Sequence, residues 1–130
     1  ERSGSRQVEI THLDAAERKV ESDKLISAAM NQPRQFKLVL FAIMLISPQK
    51  RQFFTGEIYE IYGTLCKKSN LNILTQRRVS DILAELDMLG IINAKIISKG
   101  RYGRTREINL SLEEGIIIKL KEMLEKELQL

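Results

Sequence analysis

Several things are scarce in this chain of 130 residues: Trp is absent, Pro occurs twice, and Cys and His occur once each. The single cysteine, Cys66, rules out an internal disulfide, which suits an intracellular, cytoplasmic setting. Cys66 has no Cys or His at metal-ligand spacing, so it reads as a packing residue near a helix end. The single histidine, His12, rules out a Ser-His-Asp set anywhere else, and its polar surroundings mark it as a surface residue. No G-x-x-x-x-G-K-[ST] occurs, so there is no P-loop, and "GRYG" is too short to cradle a nucleotide. The longest apolar run, Leu38 to Ile46, has nine residues and reads as a buried helix rather than a bilayer span. No signal peptide is recognisable. Catalytic residues, metal ligands and a cofactor are therefore not expected.

Charge of one sign is not in large excess. There are 21 basic and 17 acidic residues, a net charge of +4. Placement says more than the total. Between Thr75 and Arg106 stand seven cations (Arg77, Arg78, Lys95, Lys99, Arg101, Arg104 and Arg106) against three acids (Asp81, Glu85 and Asp87). That quarter of the chain carries the whole excess, and a polyanion is its natural partner.

Periodicity gives the order of elements. Residues 1–10 read as a polar tail or linker, and 11–130 as one domain. Thr11 is placed to cap a first helix whose apolar positions are Leu13, Ala16, Val20, Ile26, Ala29 and Met30. Asn31 and Pro33 end it, and a second helix carries "LVLFAIMLI", apolar on every face and so central. "RQFFT" reads as a short extended stretch. Thr55 is the expected cap of a third helix with Ile58, Ile61, Tyr62 and Leu65 on one face. Thr75 caps a fourth, with Val79, Ile82, Leu83 and Leu86 inward and Gly90 as its stop. "IINAKIIS" and "TREINL" are strands around a turn rich in cations. Ser111 and Glu114 have capping-box spacing for a last helix striped by Ile117, Leu120, Leu124 and Leu128.

Helix, helix, extended stretch, helix, helix, strand, basic turn, strand, helix is the order of a winged helix-turn-helix with extra terminal helices. It is mainly α, with a small β-hairpin. The fourth helix then occupies the reading position. With its apolar face inward, Thr75, Gln76, Arg77, Arg78 and Ser80 stand at or near its outer start. Arg can fork onto guanine, Gln onto adenine, and hydroxyls suit phosphates. An Arg-Arg pair on a helix is often mere solvated charge. The cationic turn that follows gives this one its meaning. That turn is the wing: Lys99, Gly100, Arg101, Tyr102, Gly103, Arg104 and Arg106. Its glycines allow a tight tip, and its arginines suit a narrow minor groove or the phosphates beside it.

"KLVLFAI", "TGEIYEIYGTLC" and "LTQRRVSDILAELDMLGIINAKIISKGRYGRTREINL" together resemble the C-terminal winged-helix domain of archaeal replication initiators, the origin-recognition/cell-division-cycle AAA+ proteins. The likeness covers about Arg34 to Leu110. It implies binding to double-stranded origin DNA, with the recognition helix in the major groove and the wing at the minor groove. It also implies a nucleoid-associated protein, with the initiator's ATPase domain and the replicative helicase as further partners. The family's ATPase motifs are absent from this sequence, so the resemblance implies a DNA-binding module, not an enzyme. A monomer is expected. Two other readings remain open on the residues: a winged helix used for protein contacts, and a dimeric transcription regulator joined through its terminal helices. Gel filtration separates the latter from a monomer.

Overall fold

A computed structural model of the chain describes residues 2–49, 52–98 and 104–130, with side chains over 15–49, 52–98 and 105–130. Helix α1 spans Arg2–Met30 and α2 Arg34–Ile46. Because α1 begins at Arg2, Thr11 lies within the helix and is not its cap; the side chains of residues 1–14, His12 and Leu13 among them, lie outside those described.

The stripe read on α1 fails in its first half. Residues 15–21 are all exposed, Val20 at 53%, and burial begins only with Ile26 and Ala29. Nothing described packs on the earlier turns, so the apolar residues there have no neighbour to bury them. The α2 expectation holds. Every side chain from Leu38 to Met44 is buried, because helices pack around α2 on more than one face. Its one buried charge, Lys37, is paired: the Nζ lies 2.6 Å from an Oε of Glu127 in the last helix. A buried ammonium needs such a partner to offset its lost hydration.

The extended stretch is a real strand, β1 (Phe53–Phe54), and it joins the hairpin. β2 (Ile92–Ser98) and β3 (Arg104–Leu110) pair antiparallel from Ile92↔Leu110 to Ser98↔Arg104. β1 pairs with the other edge of β3, Phe53 opposite Ile108, so the sheet order is β1-β3-β2. Phe53 and Ile108 are both buried and seal the sheet onto the helices.

Helix α3 spans Thr55–Lys68 and α4 Gln76–Met88. Thr55 is not the cap of α3. That place belongs to Phe54, whose N–H donates to the Glu57 carboxylate at 3.1 Å, while Thr55 is buried in the first turn. On α4 the reading holds: the Thr75 hydroxyl accepts from the Arg78 N–H at 3.2 Å, and Val79, Ile82, Leu83 and Leu86 are buried. Gly90 follows with φ of +83°, a left-handed stop that favours glycine. The last helix, α5, spans Glu114–Leu128, later than the Ser111 box suggests. The Ser111 N–H bonds the Ile91 carbonyl and Leu112 is buried, so this stretch stays against the hairpin and the helix starts after it. Leu120, Leu124 and Leu128 then face the core.

Candidate nucleic-acid interface

The position of α4 is set from behind by a polar cluster. Tyr62, fully buried on α3, donates its hydroxyl hydrogen to Gln35 Oε1 at 2.5 Å and accepts from the Leu74 N–H at 3.0 Å. Tyr59 donates to the Leu74 carbonyl at 2.8 Å, and Gln35 Nε2 donates to the Asn72 carbonyl at 3.0 Å. These bonds hold the connector that delivers Thr75, the cap of α4. Burial pushes the Tyr62 phenol up to about 12, against the opposing effect of the Leu74 amide. Burial also raises the neighbouring Cys66 thiol, with the Tyr62 contact acting the other way. The cysteine is therefore a packed, protonated side chain behind the connector.

On the front, the residues from Thr75 to Arg78 are exposed. Arg77 and Arg78, adjacent in sequence, diverge. Arg77 lines a groove of about 400 Å³ with Thr55, Gln76, Ser80, Ile96, Thr105 and Arg106. Arg78 lines a separate groove on the α2 side, beside Asp81 and Glu85. Among the described residues neither arginine is in an ion pair. The α2-side groove therefore places carboxylates near Arg78, whereas among the described residues no acid lines the groove that holds Arg77.

Two bonds attach the hairpin to α4. Asp87 Oδ1 accepts from the Ala94 N–H at 3.3 Å, and Arg106 Nη1 donates to the Ser80 carbonyl. Ser80 and Asp87 are about two helical turns apart, roughly 10 Å along the axis, so the strands are held to the helix at two separated points. Asp87, one of the three acids in the basic segment, is thus engaged with backbone. Arg106 is turned toward α4 and also lines the groove.

The C-terminal winged helix domain of CDC6 matches residues 27–120. The chain belongs to that family. It is 45% identical over 122 residues to the ORC1-type DNA replication protein 1 of Archaeoglobus fulgidus, covering 94% of this chain and 30% of that protein. It is 47% identical over 113 residues to the ORC1-type DNA replication protein of Pyrococcus horikoshii, covering 86% and 27%. Among solved structures, the Aeropyrum pernix ORC1 protein in complex with DNA superposes with a TM-score of 0.79 at 38% identity, over 87% of this chain and 30% of that one. The chain spans about 30% of the length of such relatives.

In this CDC6-type winged helix, of the residues expected at the recognition helix, Thr75 caps α4, Gln76, Arg77 and Ser80 share one groove, and Arg78 lies on the opposite flank. Of the wing, Lys99, Gly100, Arg101, Tyr102 and Gly103 lie outside the described residues, as does the side chain of Arg104. The sequence reading missed three groove residues. Thr55 was taken for a cap, and Ile96 and Thr105 for ordinary strand positions. Ile96 is 58% exposed, and its place opposite Arg106 in the hairpin register is the signal that could have found it.

Proposed function

We propose that this chain holds double-stranded DNA at replication origins, with α4 in the major groove and the basic wing at the minor groove. One observation carries the reading. Gln76, Arg77 and Ser80 line a groove with no acid among its described residues, at the start of a capped helix to which a cationic hairpin is attached at two points. Base-reading forks need this combination of an exposed donor and a fixed helix. The likeness to an ORC1 protein in complex with DNA supports the same reading. In it the chain is the DNA-holding part of a replication initiator, acts as a monomer, and leaves ATP chemistry to other parts of such proteins. The ATPase domain and the replicative helicase are its neighbours.

Fluorescence anisotropy on an origin-type and a random duplex, across a salt series, tests this. With four to six phosphates neutralised, log K against log salt falls with a slope of about −4 to −5, and the origin duplex binds more tightly. Arg101→Ala with Arg104→Ala flattens the slope by about one to two. A slope near zero for the parent chain would overturn the proposal.

A further inference from the structure

Thr55 is out of place for a residue with no assigned role. It is buried, with 6% of its surface exposed, yet among the described residues its hydroxyl has no hydrogen-bond partner. Hydroxyls in residues this buried normally have a hydrogen-bond partner. The hydroxyl is not sealed in, because the one fully enclosed side-chain polar atom without a partner among the described residues is Ser69 Oγ. Thr55 instead lines the groove between α3, α4 and β3.

Three of the other residues along that groove carry nitrogen donors, beside the apolar Ile96 and the hydroxyls of Ser80 and Thr105. Arg106 enters from β3, and the Ser80 carbonyl accepts from one of its guanidinium nitrogens, while its other N–H groups have no partner among the described residues. Gln76 and Arg77 enter from the first turn of α4. Thr55 itself stands in the first turn of α3, where backbone amides lack helical acceptors. Gly56 follows it, exposed, with nothing within 4 Å of where a Cβ would stand, so the approach to that turn is open. Glu57, the acid of this turn, does not line the groove and receives the Phe54 N–H. A hydroxyl, a guanidinium already fixed in place and open helix amides, with no carboxylate among them, suit an oxyanion.

We infer that this groove binds one backbone phosphate of the duplex, held by the Thr55 hydroxyl and the Arg106 guanidinium, with Arg77 at its mouth raising the local positive potential. The inference rests on the DNA-binding reading and adds a contact that belongs to neither the recognition helix nor the wing tip. A phosphate here sets the depth and register of α4 while carrying no sequence information.

Thr55→Val is close to isosteric and breaks no bond within the protein, so its melting temperature stays at or above that of the parent. Its DNA affinity falls about tenfold, equally on origin and random duplexes, with the salt slope unchanged because no charge is lost. Thr55→Ser restores binding. A scan of neutral methylphosphonates along the duplex finds one position whose substitution weakens the parent chain, but weakens Thr55→Val and Arg106→Ala much less, since both variants have already lost the contact. If the parent binds DNA and Thr55→Val binds equally well, or if no methylphosphonate position is coupled to Thr55, the phosphate site is wrong while the DNA reading stands. If the parent does not bind duplex at all, the DNA reading itself has failed. Titration with inorganic phosphate, followed by NMR at the Thr55 and Gln76 amides, separates the two sources of the anion. Saturable shifts without methylphosphonate coupling would mark a free-anion pocket and overturn the backbone assignment.

Discussion

Tyr62→Phe removes one oxygen and keeps the ring, which makes it a clean probe of how α4 is held. That oxygen donates to Gln35 at 2.5 Å and accepts from the Leu74 amide at 3.0 Å, in a residue with no exposed surface. After substitution the Leu74 N–H has no other acceptor among the described residues. Gln35 Oε1 keeps only a long contact, 4.0 Å, with the Cys66 sulfur. Each group left bare costs about 1–3 kcal/mol, and the hydroxyl's own desolvation, no longer incurred, offsets part of this, so the net loss is about 2–3 kcal/mol. For a domain of this size that lowers the melting temperature by roughly 8–15 °C. Circular dichroism melts measure the loss. Amide exchange at Leu74 localises it, because a connector freed from Tyr62 exposes that N–H before the rest of the fold opens. DNA affinity falls with it, since Thr75 and the first turn of α4 hang from the same connector. A variant melting within about 2 °C of the parent, with Leu74 equally protected, would refute the idea that this cluster positions α4.

The same structure predicts other outcomes. The Tyr62 phenol is raised from 10.0 to about 12, so the folded chain keeps a proton that the unfolded chain releases. That contribution is intact below pH 10 and disappears between pH 10 and 12, a loss of roughly 2–3 kcal/mol that urea titrations should show in the parent and not in Tyr62→Phe. Arg77→Ala should relax preference at one base position at a cost of about 1–3 kcal/mol, measured by competition among point-substituted duplexes; an equal loss on all sequences would remove its base-reading role. Gly90→Ala should destabilise by about 1–2 kcal/mol from its positive φ alone, because the added Cβ would meet Leu25 at an ordinary 3.9 Å. An unchanged urea midpoint would contradict that strain.

What the sequence discloses is mostly what local rules control. Helix α4 could be read nearly residue by residue because its cap, its apolar spacing and its glycine stop all agree. Two of the misplaced caps were decided by distant partners. Thr55 is displaced by one residue because β1 pairs with β3, leaving Phe54 at the junction, and Ser111 loses its helix because its N–H goes to Ile91. A two-residue strand is too short to show alternation, so the extended stretch could be read but not its place in the sheet. The donor groove was legible only in part. Gln76 and Arg77 announce themselves, whereas Thr55 enters through the fold, and the bond from Arg106 to Ser80 joins residues 26 positions apart.

The sheet order also constrains how the chain assembles. β2 and β3 are close in sequence and can zip together early. β1 must wait for β3, since Phe53 pairs with Ile108, and α3, α4 and the whole hairpin are enclosed in the loop this contact closes. Closing a longer loop costs more entropy, and contacts distant in sequence slow folding. The β1–β3 contact is thus a late event, and it fixes the chain at Phe54, where α3 begins. The start of α3 acquires its final geometry only after the wing's return strand is in place. A lesion in that strand would slow maturation of a helix far from it in sequence, with no direct contact to the wing tip required.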